Sequence, residues 1–333
     1  MRRKMIRGAN FAKKVIPGST LLKLLRARRV VRVFRESLVD AHRHARFGSP
    51  EDNEASFNSP LTECQVTKDY HRIEKGLALE DPRRPFGSSV AARISLALQA
   101  PEQSLSVSGG LYEYASTALE ALDLWNEQGS VDDLVAPERS CHEVWGPLGS
   151  EPYSKAIEHM FLTRRSIRSF DASIPIDIDV LRSAVSLGRN APSVCNRQSS
   201  EIWICTDSDL NAKILAAQNG NSGFGGSVPA VGIVVTDSRL FSGAGERNQR
   251  WIDGGLFAMS VVYAMHSKGF ATCMLNWSMT NRESDYLRKI CGIPQNYDVV
   301  TLVAIGHAPQ RFRVARSPRR ALNSVLKIMH SRG

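Results

Sequence analysis

"WIDGGLFAMSVVYAMHSKGFATCMLNW", residues 251–277, holds two secondary-structure elements back to back. Positions 252–269 are apolar nearly all round, which predicts a helix buried at the centre of the molecule. Asp253 can cap that helix while the glycines beside it permit close backbone approach, although a packing role alone accounts for the segment equally well. Residues 270–277 then read as a strand. Working outward, "EIWICTD" (201–207), "VPAVGIVVTD" (228–237) and "DVVTLVAIG" (298–306) are further apolar strands. Helical patterns separate them. "EPYSKAIEHMFLTR" (151–164) turns Ile157, Met160 and Phe161 inward, and "DIDVLRSAVSLG" (177–188) is capped by Asp177 and ended by Gly188. "SDLNAKILAAQ" (208–218) and "SDYLRKICG" (284–292) complete the set. Strands apolar on both faces, mixed with helices, predict a layered sheet with helices packed around it.

The charge is unevenly spread. The net of +10 over 333 residues looks like a nucleic-acid signal until it is located. Residues 1–50 carry 14 Lys and Arg against Glu36 and Asp40, so the rest of the chain is close to neutral, at −2. After Pro17-Gly18, Ser19 or Thr20 can cap a helix running to about residue 46. Leu21, Leu24, Leu25, Val31, Phe34, Leu38 and Ala41 fall near a helical period, with arginine at most other positions. Such a basic amphipathic segment suits an anionic membrane surface or an acidic partner as well as it suits a solvated helix. Nucleic acid ranks last, because aromatic stacking residues are nearly absent there. The start lacks the apolar core of a secretory signal, although an organellar presequence is also Arg-rich and acid-poor. Six cysteines without a C-x-x-C pair, several inside apolar runs, fit a reducing compartment. The expected location is cytoplasmic, or peripheral at a membrane. Residues 1–47 read as the basic segment, 48–150 as a polar linker and mostly helical extension, and 151–333 as the domain built on the sheet.

Few residues suggest chemistry by themselves. His71 and Glu74 share a helix face if their segment is helical, but two ligands make no zinc site and an ion pair is the simpler reading. Ser193 and Cys195 have no histidine near them in sequence. "GNSGFGGS" (220–227) follows a helix and precedes a strand, the reverse of a phosphate loop, so a plain connection and a cofactor contact are equally open. "RRSIRSF" (164–170) puts three arginines and two serines into seven positions, and "RVARSPRR" (313–320) repeats the composition. Guanidinium grips phosphate through paired hydrogen bonds, so these clusters suit an anionic cofactor; surface charge alone would also account for them.

The order of segments adds more than any one of them. "RRSIRSF", "APSVCNRQ", "SVPAVGIVV", the 251–277 stretch, "LRKICGIPQNYDVVTLVAIGHAP" and "RSPRR" occur in that succession across residues 153–322. The series resembles the nitroreductase family of FMN-dependent oxidoreductases. The resemblance implies an α+β fold with a central mixed or antiparallel sheet surrounded by helices, here preceded by a helical extension. It implies FMN as cofactor, NAD(P)H as electron donor, ping-pong hydride transfer to a small electron-accepting substrate, and a homodimer with FMN in the interface. Carried over by position, Arg164 and Ser166 meet the phosphate and ribityl end with Arg165 close by, and Arg168 meets the pyrimidine edge of the ring. Pro192, Ser193 and Asn196 line the ring and its substrate side, and Asn276 and Trp277 form the turn near the reactive N5. Arg316 and Arg319 close over the phosphate, and Asn219 and Asn221 are polar contacts in the glycine-rich loop. No side-chain acid or base is implied, and no metal. Ser199 departs from the family, which has tryptophan or proline after N-x-Q. Residues 70–87, "YHRIEKGLALEDPRRPFG", are similar to a segment preceding the core in a bacterial subgroup encoded near surface-polysaccharide genes. There His71, Glu74 and Lys75 would either reach the substrate pocket or form structural ion pairs. Two other functions remain compatible: FMN chemistry of the dehydrogenase or dehalogenase type without NAD(P)H, and a non-catalytic partner brought to the membrane by its basic N-terminus.

Overall fold

The structure, a computed structural model, describes residues 18–49, 62–79, 82–99, 110–128, 153–315 and 317–330. Most of the expected linker at 48–62 and all of 129–152 lie outside the described residues. So does Arg316.

Helices α1 (Gly18–Phe47), α2 (Thr62–Leu77), α3 (Ser88–Leu98) and α4 (Leu111–Gln128) form the N-terminal region. The rest runs α5 (Tyr153–Thr163), α6 (Ile178–Gly188), β1 (Ser200–Cys205), α7 (Ser208–Ala217), β2 (Ala230–Asp237), α8 (Gln249–Ser267), β3 (Ala271–Asn276), α9 (Asn281–Cys291) and β4 (Tyr297–Gly306), ending in the short α10 (Leu322–Val325). The four strands make one sheet in the order β1-β2-β4-β3, antiparallel at every pairing. Every residue of β2 is buried, as its unbroken apolar run predicts. One face, through Val231, Ile233, Leu302 and Ala304, packs on α7 and α9; the other, through Val234, Val303 and Ile305, packs on α8 and α6.

Tight approach explains two glycines. A Cβ on Gly254 of α8 would lie 2.5 Å from Val300 Cγ2, and one on Gly188 of α6 would lie 2.6 Å from Val261 Cγ2. Gly188 is the last residue of α6, as expected, with Arg189 as its right-handed C-cap, and the missing side chain lets α6 rest against α8. Asp177 does cap it, accepting from the amides of Asp179 and Val180. Asp253 likewise corrects its expected role: α8 starts at Gln249, a turn earlier, and the buried carboxylate holds the Val194 amide instead.

Two expectations about burial fail together. Helix α8 is not buried all round, since Ile252 and Leu256 remain 53% and 43% exposed. Helix α5 buries no residue, and Ile157 and Phe161 face outward, although Phe161 stacks on Tyr263 of α8 at 4.7 Å between ring centroids. Ile252, Leu256, Met259 and Tyr263 follow the 4-3-4 spacing of one helix face. On that apolar face Ile252 and Leu256 are exposed, whereas Met259 packs toward the core and Tyr263 meets Phe161.

The N-terminal region has a core of its own, in which α2, α3 and α4 enclose Tyr70, Ile73, Ile94, Ala118 and Leu122. Buried Asp69 ties α2 to α3 through Arg93, at 2.7 and 2.8 Å. Only the C-terminal half of α1 docks on the sheet domain. Arg43 reaches Asp298 at 2.8 Å, and Glu36 and Asp40 hold Asn281. Leu24, Leu25, Val31 and Phe34 on the other half are exposed among arginines. No helix among the described residues is long and apolar enough to cross a membrane.

Candidate functional site

Residues 164–170 leave α5 and run along the free edge of β3. The Ile167 amide bonds to the Thr272 carbonyl at 2.9 Å and the Asp171 amide to the His307 carbonyl at 2.9 Å. This alignment brings Ser166, Arg168 and Arg164 into the neighbourhood of Cys273. Burial pushes the Cys273 thiol up, while Arg168, the Ser166 hydroxyl and Arg164 pull it back. Burial lowers His266 at the C-terminal end of α8, and Arg164 lowers it further. Both effects mark a positive field. Among the described residues no carboxylate pairs with Arg164, Arg165 or Arg168; Arg165 donates to the Arg164 carbonyl.

Asn276, at the end of β3, joins this neighbourhood to the glycine-rich loop. The Gln218 side chain donates to the Asn276 carbonyl at 2.9 Å, and Asn276 donates to Ser278. Asn221 is committed to the loop itself, donating to Leu215 and Gln218 oxygens, whereas Asn219 is exposed with Met279 sulfur as its neighbour. Trp277 is buried, with its indole nitrogen on Ser284. Arg319 sits in an exposed C-terminal stretch and donates to the Ser317 carbonyl.

Pro192, Ser193 and Asn196 lie elsewhere. Val194 is held by Asp253 in the first turns of α8, whereas Thr163 meets His266 in its last turn. At 1.5 Å per residue those anchor points are roughly 20 Å apart along the helix axis. Within one chain the arginine cluster and the 192–196 segment thus stand as two groups at opposite ends of α8, while Trp277 borders the same hollow as Trp251 in the first turn of that helix.

The second group is backed by a buried network that sequence reasoning missed. Cys195, Asn196 and Gln198 all have positive φ, between 48° and 51°, an unfavourable backbone for residues with a side chain. Arg197 between them is fully buried and pairs with Glu246 through two bonds of 2.8 and 2.7 Å. It also donates to Cys64 Sγ at 3.3 Å and to the Val194 carbonyl, with its guanidinium over the Phe241 ring. Burial favours the neutral guanidine, but Glu246 and Cys64 outweigh it and hold the proton more tightly. Burial also raises the Glu246 carboxyl, yet Arg197 and the Ser242 amide bring it below the usual glutamate value. Cys64 belongs to α2, so this network fastens the three-helix unit to the strained segment.

His71 and Glu74 form the ion pair their spacing suggests, at 3.0 Å, partly buried on α2. Among the described residues no three His, Cys, Asp or Glu side chains cluster as a metal site.

The family model described as "Nitroreductase family" matches residues 162–222 and 216–307. Among solved structures, an FMN-dependent nitroreductase from Clostridium difficile is 19% identical, covering 47% of this chain and 91% of its own, with a TM-score of 0.41. A nitroreductase family protein from Clostridium novyi is 20% identical over 46% of this chain and 85% of its own, with a TM-score of 0.41. A hypothetical oxidoreductase from Bacillus subtilis is 19% identical over 51% and 72%, with a TM-score of 0.45. None of the curated proteins matches the chain.

Proposed function

We propose, from the nitroreductase fold that residues 162–307 carry, that the protein is an FMN-dependent oxidoreductase acting on a small molecule. The observation that carries this reading is the arginine cluster at 164–168, which no carboxylate among the described residues neutralises. Uncompensated guanidiniums beside a serine hydroxyl fit a phosphate-bearing cofactor. Bound FMN supplies hydride transfer between NAD(P)H and an electron-accepting substrate in two half-reactions. Arg164 and Ser166 hold the phosphate end, with the Arg165 backbone near them. Arg168 faces the pyrimidine edge, where a cation stabilises negative charge gathered on reduction. Asn276, Trp277 and Asn219 border the ring. Asn221 acts by shaping the loop, since its amide is already engaged. Arg316 and Arg319 close over the phosphate.

The two groups at opposite ends of α8 are united in a homodimer. Pro192, Ser193 and Asn196 of one copy face the arginine cluster of the other across the exposed α8 and α5 faces. This arrangement covers Ile252, Leu256, Ile157 and Phe161, which are exposed in the single chain. Sedimentation of the full-length protein is expected to report a dimer. Leu256→Arg is expected to shift it toward monomer and to lower its FMN content. A monomeric wild-type protein that keeps FMN would refute this arrangement.

Purified protein is expected to show flavin absorbance that bleaches anaerobically on addition of NADH or NADPH. Colourless protein that cannot be reconstituted with FMN would overturn the assignment. A flavoprotein reduced by neither nicotinamide would point instead to the dehydrogenase or dehalogenase type of FMN chemistry. A cytoplasmic location, membrane attachment through the basic half of α1, and a dedicated step in surface-polysaccharide synthesis belong to the same proposal. Exposed leucines and phenylalanine among arginines support the membrane component.

A further inference from the structure

Gln218 caps α7 at its C-terminal end and is 6% exposed, an uncommon setting for a side-chain amide. Burial of that group is costly unless its hydrogen bonds are made, and here they are. Its Oε1 accepts from the Gly220 amide at 2.6 Å and from Asn221 Nδ2 at 2.9 Å. Its Nε2 donates to the Asn276 carbonyl at 2.9 Å, 58 residues along the chain. Only this orientation of the amide satisfies all three neighbours. Turned over, it would set oxygen against a carbonyl and NH2 against two N–H donors.

The two ends of the amide serve different segments. The oxygen folds the glycine-rich loop: Asn221, which it holds, accepts in turn from the amides of Phe224 and Gly225 through its carbonyl. Shaping that loop requires no bond to β3. The nitrogen nevertheless reaches the last residue of β3, the strand whose edge takes the Ile167 amide at Thr272. Asn276 is exposed, and the chain turns after it toward α9. The bond therefore fixes a carbonyl at the point where the strand ends.

We infer that Gln218 is a positioning residue, holding Asn219 and the turn after Asn276, two separate borders of the flavin ring, at one fixed separation. The inference rests on the FMN reading above.

Gln218→Glu tests it, because a glutamic acid repeats the donor and acceptor of glutamine when protonated and loses the donor when ionised. In the full-length protein at about pH 8 the ionised variant sets a carboxylate against the Asn276 carbonyl. FMN is then expected to bind about tenfold more weakly than to wild type, the equivalent of one hydrogen bond. A buried carboxyl takes up its proton above the usual glutamate range, so at about pH 5 the ratio of the two dissociation constants is expected to return toward one. Gln218→Met, which no proton repairs, is expected to stay weak throughout. Without added FMN, Gln218→Met is expected to speed amide exchange in residues 219–225 and 276–279 together, while β4 keeps its protection. A glutamine that only stabilised the fold would lower the melting temperature without a pH-dependent affinity ratio. Equal FMN affinity in wild type and Gln218→Glu at the higher pH, a deficit that acid leaves unchanged, or loosening confined to the loop would overturn the inference and leave the flavin assignment standing. Wild-type protein that takes up no FMN would overturn both.

Discussion

Arg197→Met is expected to lower the unfolding free energy by about 3–5 kcal/mol, the cost of leaving one member of a buried ion pair without its partner. The guanidinium is fully buried, with two bonds to Glu246 and one to Cys64 of α2. Its loss leaves the Glu246 carboxylate with the Ser242 amide as its remaining hydrogen-bond donor from the backbone and, among the described residues, no ion-pair partner in contact. The midpoint of denaturant unfolding checks the size, and amide exchange in α2 checks the place, since the three-helix unit loses a main tie to the sheet domain. Arg197→Met with Glu246→Leu is expected to be less harmful than the separate losses combined, because neither change then strands a charge. A loss below about 1 kcal/mol for Arg197→Met would show that the pair does not hold the segment. The pH dependence follows from Glu246, whose carboxyl is held below the usual glutamate range. A depressed carboxylate contributes its full stabilisation above its unfolded pKa, and that contribution is lost as pH falls through the folded value. Wild type should therefore lose stability below about pH 4.5 in a step that the double variant lacks.

Arg164→Ala is expected to weaken FMN binding by roughly 10- to 100-fold, the worth of a charge-assisted contact to phosphate. Arg168→Ala is expected to retain the flavin and slow its reduction by NAD(P)H, because the proposed arrangement sets its cation against the ring rather than the phosphate. Flavin content after gel filtration reads the first effect, and anaerobic stopped-flow bleaching reads the second. Among the described residues neither guanidinium has a carboxylate partner, so both changes should leave the melting temperature of the apoprotein nearly unchanged. Equal loss of FMN from the two variants would refute the division of roles. Unaltered FMN affinity in both would move the phosphate site away from residues 164–168.

Those two predictions divide along what was legible. The arginine cluster is readable because its members are neighbours in sequence and composition alone marks them. Arg197 carries no such mark. Its partners are 133 and 49 residues away, and nothing near "CNRQ" announces a thiol on α2 or a carboxylate after β2. Positive φ at Cys195, Asn196 and Gln198 was equally hidden, since none is glycine. Asp253 was legible as important and misread as to role: a cap is the local use of an aspartate at a helix start, and only tertiary contact showed it holding Val194.

Burial shows the same boundary. The sequence by itself determined which segments are strands and helices, since period, caps and apolar runs are properties of neighbouring residues. β2 came out buried throughout, as its composition requires. Apolar residues at 157, 161, 252 and 256 were just as plain, yet hydrophobicity says only that a surface avoids water, not what covers it. Tertiary structure alone decided that the sheet covers one face of α8 and leaves the other exposed. It also decided that the arginine cluster and the 192–196 segment stand at opposite ends of that helix. Each of these depends on contacts between distant segments, and so on how the layers stack.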